Sequence, residues 1–208
     1  KEVIHISTPL FKEAIAQTAL ATTQDETRPV LSGVAFFIKS QELTLVATDS
    51  YRLAEKKVPF NIEGDANKVV GRTAIVPARA LLELSRLVSE ATARVSIKMD
   101  QHQFVAECGD TSLVSRLIEG TFPAYEAIIP KKLTTTVTVN RAEFIASLKM
   151  ASLFSRDSAY NVTFSLQEKA ITLKALSAQI GASTSTVTAS IKGEPVTMAF
   201  NARFILDA

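Results

Sequence analysis

The chain of 208 residues is 47% hydrophobic and 21% charged, an ordinary globular composition with length for one large or two modest domains, of which two are expected. A formal net charge of +2 excludes the strong basic excess of proteins that grip nucleic acid tightly, so any DNA contact should be loose. The single cysteine, Cys108, excludes an intrachain disulfide and fits a reducing cytoplasm, and the longest apolar run, residues 33–38 (GVAFFI), is far short of the ~20 residues of a membrane helix. The chain begins at Lys1 rather than Met, which leaves room upstream for a native N-terminus with any targeting signal.

Taken in chain order, one pattern recurs: a short alternating strand, a cap or proline, then an amphipathic helix. VIHIS leads into Thr8-Pro9 and LFKEAIAQTAL, with Thr8 expected as N-cap, Pro9 at the first helical position, and Lys12 lying off a Leu10/Ala14 stripe. Val34, Phe36 and Ile38, then Leu43 and Leu45, alternate as strands, and residues 46–54 (VATDSYRLA) fall between two strand-like runs. Asp49 and Ser50 suit a turn there because their short side chains bond local amides, whereas turn chemistry gives no account of Tyr51 and Arg52.

TAIV then leads into Pro77, expected at the first helical position of ARALLELSRLV, where Leu81, Leu84 and Val88 form a stripe opposite Arg79, Glu83 and Arg86. Three strands follow on Val95/Ile97/Met99, Phe104/Ala106/Cys108 and Leu113/Ser115/Leu117, and the phase of Cys108 reads as a buried core thiol. Residues 122–133 (FPAYEAIIPKKL), with two prolines and a Lys pair, interrupt the pattern and are expected as a linker, giving domains at 1–130 and 131–208. TTTVTV leads into Asn140, whose spacing to Glu143 resembles a capping box; Phe144, Leu148 and Ala151 should pack while Ala142, Ala146 and Lys149 face away. Val162/Phe164/Leu166 and Ile171/Leu173 alternate next, and VTMAF leads into Asn201 and ARFILDA.

The markers Thr8, Pro77, Asn140 and Asn201 are 69, 63 and 61 residues apart, so the repeating unit is β-α-β-β-β. Two units make a domain, which predicts an α+β fold with helices on one face of antiparallel sheets. The fourth copy stops at Ala208 inside its helix, and if the repeat holds ~40 residues or more are expected to follow.

Groups for catalysis are sparse. His5 alternates with Ile4 and Ile6 and His102 lies in the turn DQHQ, neither with a Cys or second His at metal-ligand spacing, and there is no P-loop, G-x-G-x-x-G or G-x-S-x-G. No metal or cofactor is implied. The competing enzyme class is an α+β hydrolase using Asp49 and Ser50 with a distant His at the domain junction. Among the helix faces, Lys12, Arg79, Arg86 and Lys149 are candidates to pass near phosphates.

The stretch VATDSYRLA, together with RPVLSGVAF (28–36), IVPARALLEL (75–84), SRLIEGTFPAYEAIIP (115–130) and FNARFILDA (200–208), resembles the bacterial DNA polymerase III β subunit, the sliding clamp, in order along the whole chain. The resemblance implies a DNA clamp fold corresponding to the middle domain and most of the last. It also implies a non-enzymatic ring, a head-to-tail homodimer when full length and a monomer as this piece, which encircles double-stranded DNA and tethers polymerases and the clamp loader through short clamp-binding peptides. In the family the hairpin lines a peptide pocket at the domain junction, so Thr48, Tyr51, Arg52 and Leu53, with Leu31, Pro123 and Ile128 and with Tyr160, Asn201 and Phe204, are the implied contacts. Tyr51 departs from the family's frequent His, and Glu126-Ala127 from its frequent basic residues. The family's closing C-terminal strand falls beyond Ala208.

Overall fold

The computed structural model describes residues 2–25, 27–89 and 92–208. The chain divides into two compact units, Lys1–Ala124 and Tyr125–Ala208.

In the first unit β1 (Val3–Ser7) runs into α1 (Thr8–Ala19), followed by β2 (Gly33–Ile38), β3 (Glu42–Thr48), β4 (Leu53–Pro59) and β5 (Asn61–Glu63). The second copy is β6 (Thr73–Pro77), α2 (Ala78–Leu87), β7 (Arg94–Met99), β8 (Gln103–Cys108) and β9 (Thr111–Arg116). All strand pairs are antiparallel, as the α+β reading requires, but they form two sheets, ordered β5-β1-β7-β8-β9 and β4-β3-β2-β6.

The two sheets are stitched at both margins. β4 and β5 are one strand bent at the buried Phe60: β4 pairs with β3, and β5 with β1. At the other margin the Ile118 N–H donates to the Ile75 carbonyl at 2.8 Å. Gly33 permits that approach, because a Cβ there would stand 2.6 Å from Ile75 Cγ2 and 2.8 Å from Ile118 Cδ1.

The core lies between sheets and helices. Phe11 of α1, Phe36 of β2 and Phe104 of β8 are fully buried and meet edge-on at 6.3 and 5.9 Å, tying a helix to both sheets. Each edge-to-face pair adds about 0.5–1.5 kcal/mol to the burial of its rings. Leu81, Leu84 and Val88 are buried as the α2 stripe requires, and Cys108 is buried, its Sγ 4.0 Å from the Thr8 hydroxyl.

Three local expectations shift. Thr8 is the first helical residue rather than the N-cap, because its hydroxyl is buried toward Cys108 and Ser7 takes the flanking position without a side-chain cap. Pro77 flanks α2 rather than opening it, since it still pairs with Gly33 as the last residue of β6. Leu10 is exposed, and the buried face of α1 is Phe11, Ala14, Ile15, Thr18 and Ala19, which the Leu10/Ala14 pairing missed by one residue.

The second unit contains β10 (Thr135–Val139), α3 (Arg141–Leu153), β11 (Asn161–Gln167), β12 (Ala170–Ser177), β13 (Gly181–Gly193), β14 (Val196–Asn201) and α4 (Ala202–Asp207) in one sheet ordered β10-β13-β12-β11-β14. β13 pairs with β12 along its first part and with β10 along its end, the same crossing that β4 and β5 make. Asn140 Oδ1 accepts the Glu143 N–H at 3.1 Å and Asn201 Oδ1 the Arg203 N–H at 2.9 Å, so both asparagines cap their helices. Phe144 and Phe164 occupy the fourth positions of α3 and β11, as Phe11 and Phe36 do in α1 and β2, and pack at 6.2 Å. Phe144 and Ile205, at the helix positions of Phe11 and Leu81, are half-buried.

Candidate functional site

The turn between β3 and β4 uses most of its polar groups on itself. Asp49 Oδ1 accepts the N–H groups of Tyr51 and Arg52, each at 2.9 Å, and its Oδ2 accepts Arg52 Nε at 3.2 Å. The Thr48 hydroxyl donates to the Arg52 carbonyl at 2.7 Å and accepts the Ser50 N–H at 3.1 Å. Ser50 is held at φ 79°, a left-handed conformation that costs a non-glycine residue about 1–2 kcal/mol. With those bonds closed, Tyr51 is pushed outward and is 83% exposed.

A second loop supports the turn. Arg28 donates from Nη1 to Ser50 Oγ and from Nε to Asp25 Oδ2, both at 3.0 Å. The Thr27 hydroxyl and amide, and then Arg28, hold the Asp25 carboxyl below the usual carboxylate range. Arg28 also flanks the 3-10 turn Pro29–Ser32, which carries the buried Leu31. At Gly120, with φ 131°, a Cβ would stand 2.7 Å from Val30 Cγ2, so the 120–123 stretch lies against that turn. Phe122 is anchored edge-on to Phe37 at 6.3 Å, leaving Pro123 exposed, and Leu53 is half-buried at the start of β4.

Within the second unit Ile128 is 67% exposed after the 3-10 turn Tyr125–Ala127. Tyr160 is left-handed at φ 60°, and Asn201, besides capping α4, donates from Nδ2 to the Ala159 carbonyl at 3.0 Å. The Arg203 guanidinium lies 3.6 Å over the Tyr160 ring and also donates to its hydroxyl. Sequence reasoning missed Arg203, because the β11–β14 register that sets Asn161 opposite Asn201 carries no local signal. Phe204 is half-buried in α4.

The four basic candidates differ. Arg79, Arg86 and Lys149 are exposed, with Arg86 bonded to Glu83 at 2.9 Å, but Lys12 is half-buried and donates to the Val88 carbonyl at 3.3 Å. A lysine there complements the negative end of α2 and helps to pack the two helices.

The hydrolase alternative finds no support. Both Asp49 oxygens are engaged within the turn, and His5 is held by Ser96 Oγ and Glu63 Oε2, each at 3.0 Å. The same His5 bond keeps the Glu63 carboxyl below its usual range. Among the described residues no cluster of His, Cys, Asp or Glu could hold a metal, and no helix is long and apolar enough to cross a membrane.

Antiparallel sheets bridged by a crossing strand, covered by helices and repeated through the chain, define a protein of the DNA clamp fold. The DNA polymerase sliding clamp of Bacillus subtilis is 30% identical with a TM-score of 0.91, over 99% of this chain and 54% of that one. The DNA polymerase III subunit beta of Pseudomonas aeruginosa gives 25% and 0.92, over 100% and 56%. Residues 5–124 match the model of the DNA polymerase III beta subunit central domain and residues 126–208 that of its C-terminal domain, so the chain belongs to this family. The beta sliding clamp of Staphylococcus epidermidis is 32% identical over 209 aligned residues, all of this chain and 54% of that protein. The chain therefore spans about half the length of the curated relatives it matches.

Proposed function

We propose that this chain is the middle and last-domain portion of a sliding clamp subunit that encircles duplex DNA as a homodimeric ring in the cytoplasm and tethers polymerases and the clamp loader through short peptides. The observation that carries this reading is the closed turn at 48–53: its carboxylate and hydroxyl are bonded inward, while apolar and aromatic side chains remain at its rim. That suits recognition of an extended peptide, with Leu53, Leu31 and Pro123 taking an apolar side chain, Arg52 reaching peptide oxygens and Tyr51 adding an exposed aromatic surface. Thr48 acts through the turn it closes.

In the second unit Tyr160, Asn201 and Phe204 gather at the start of α4, and Ile128 adds an exposed apolar side chain; we assign these to partner contact as well. DNA passes near Arg79, Arg86 and Lys149 without sequence recognition, and the ring supplies the retention that net charge does not.

Titration of the chain with a labelled peptide of the Gln-x-x-Leu-Phe pattern tests the reading. Saturable binding weakened by Leu53→Ala supports it. No binding, together with ester or phosphoester turnover lost on Asp49→Ala, overturns it.

A further inference from the structure

We infer that Arg28 is a positioning residue for the peptide-recognition turn, acting through Ser50; the effect on binding rests on the function proposed above, while the effect on the turn does not. Ser50 occupies a left-handed conformation that glycine adopts without strain, so its side chain must return something for the steric cost. The return is visible: Ser50 Oγ accepts Arg28 Nη1 at 3.0 Å, and Arg28 is itself oriented by Asp25 Oδ2 at 3.0 Å. Asp25 is fixed in turn by the Thr27 amide and hydroxyl, at 3.0 and 2.7 Å. The chain Thr27–Asp25–Arg28–Ser50 ends one residue before Tyr51 and two before Arg52. It secures the crest of the turn from outside, complementing the Thr48 and Asp49 bonds that close it from within. Without the outer support the crest can move, carrying the Tyr51 ring and the Arg52 side chain away from the pose a partner meets.

The tests are made on the whole chain. Arg28→Ala and Ser50→Ala should each speed hydrogen exchange of the Tyr51 and Arg52 amides about fivefold, leaving the β3 amides unchanged. Ser50→Asn should behave as wild type, since Asn tolerates the left-handed conformation and its carbonyl can accept from Arg28. Because both residues act through one bond, Arg28→Ala with Ser50→Ala should exchange no faster than the faster single variant. A product of the two effects, about 25-fold, would overturn the coupling, as would unchanged exchange in Arg28→Ala.

Affinity for the labelled Gln-x-x-Leu-Phe peptide should fall by about the same factor in the single variants. If wild type binds and Arg28→Ala speeds exchange without weakening the peptide, the positioning role is refuted while the peptide reading stands. If wild type does not bind but the exchange pattern appears, Arg28 still positions the turn and the peptide reading fails.

Discussion

Asp49→Ala separates a scaffold carboxylate from a reactive one. The substitution removes the acceptor of two backbone N–H groups at 2.9 Å and of Arg52 Nε at 3.2 Å. Bonds to a charged group are worth about 1.5–3 kcal/mol each when buried, but this turn sits at the surface and water can replace part of each. A total of about 2–3 kcal/mol is therefore expected, with the Arg52 ion pair adding little beyond its hydrogen bond. At about 2–4 °C per kcal/mol for a chain of this size, the melting midpoint should fall by about 4–12 °C. Asp49→Asn should recover most of the loss, because an amide oxygen can still accept both backbone donors. Differential scanning calorimetry of wild type and both variants measures this, with exchange at Tyr51 and Arg52 locating the damage. An unchanged midpoint in Asp49→Ala would refute the scaffold account.

Leu53→Ala should weaken the Gln-x-x-Leu-Phe peptide by about 1–3 kcal/mol in calorimetric titration while nearly preserving the midpoint, since Leu53 is only half-buried; unchanged affinity with a large stability loss would remove it from the recognition surface. Phe36→Ala, which empties the centre of the aromatic chain joining α1 to both sheets, should cost about 3–5 kcal/mol in denaturant unfolding. Duplex binding in a gel-shift titration should be weak, indifferent to sequence and eliminated by Arg79→Glu with Arg86→Glu, whereas Lys12→Ala should chiefly lower stability. The carboxyls of Glu13, Asp25 and Glu63 lie below their ordinary values of 4.5, 3.8 and 4.5, held by Lys56, by Thr27 with Arg28, and by His5. Below those ordinary values the unfolded chain takes up protons first, so the stability these groups give is full above them and lost as pH falls through the folded values. A midpoint that does not decline on acidification below 3.8 would contradict this.

The repeating unit was legible because its signals are local. A cap or proline precedes each helix, and period-2 runs such as Phe104, Ala106 and Cys108 declare their buried face within a few residues. How the strands divide between two sheets was not, since Phe60 turns the strand from one ladder to another through contacts remote in sequence. The same limit applied at the candidate site. Asp49 and Ser50 announced a turn, but the Arg28–Ser50 bond spans 22 residues and the Arg203–Tyr160 contact 43. The surroundings of Lys12 were not legible either, because helical phase gives a side chain's direction along its own helix and says nothing of the Val88 carbonyl presented by another.

The strand that begins at Leu53 and bends at Phe60 also has a mechanical consequence. Ladder hydrogen bonds run across the strands, so a pull delivered end-on at the 48–53 turn loads many of them together instead of opening them one by one. To yield, β3 would have to slide past β2 while the crossing strand slid past β1. A load applied at this turn would therefore strain two sheets in shear rather than peel one strand from its neighbour.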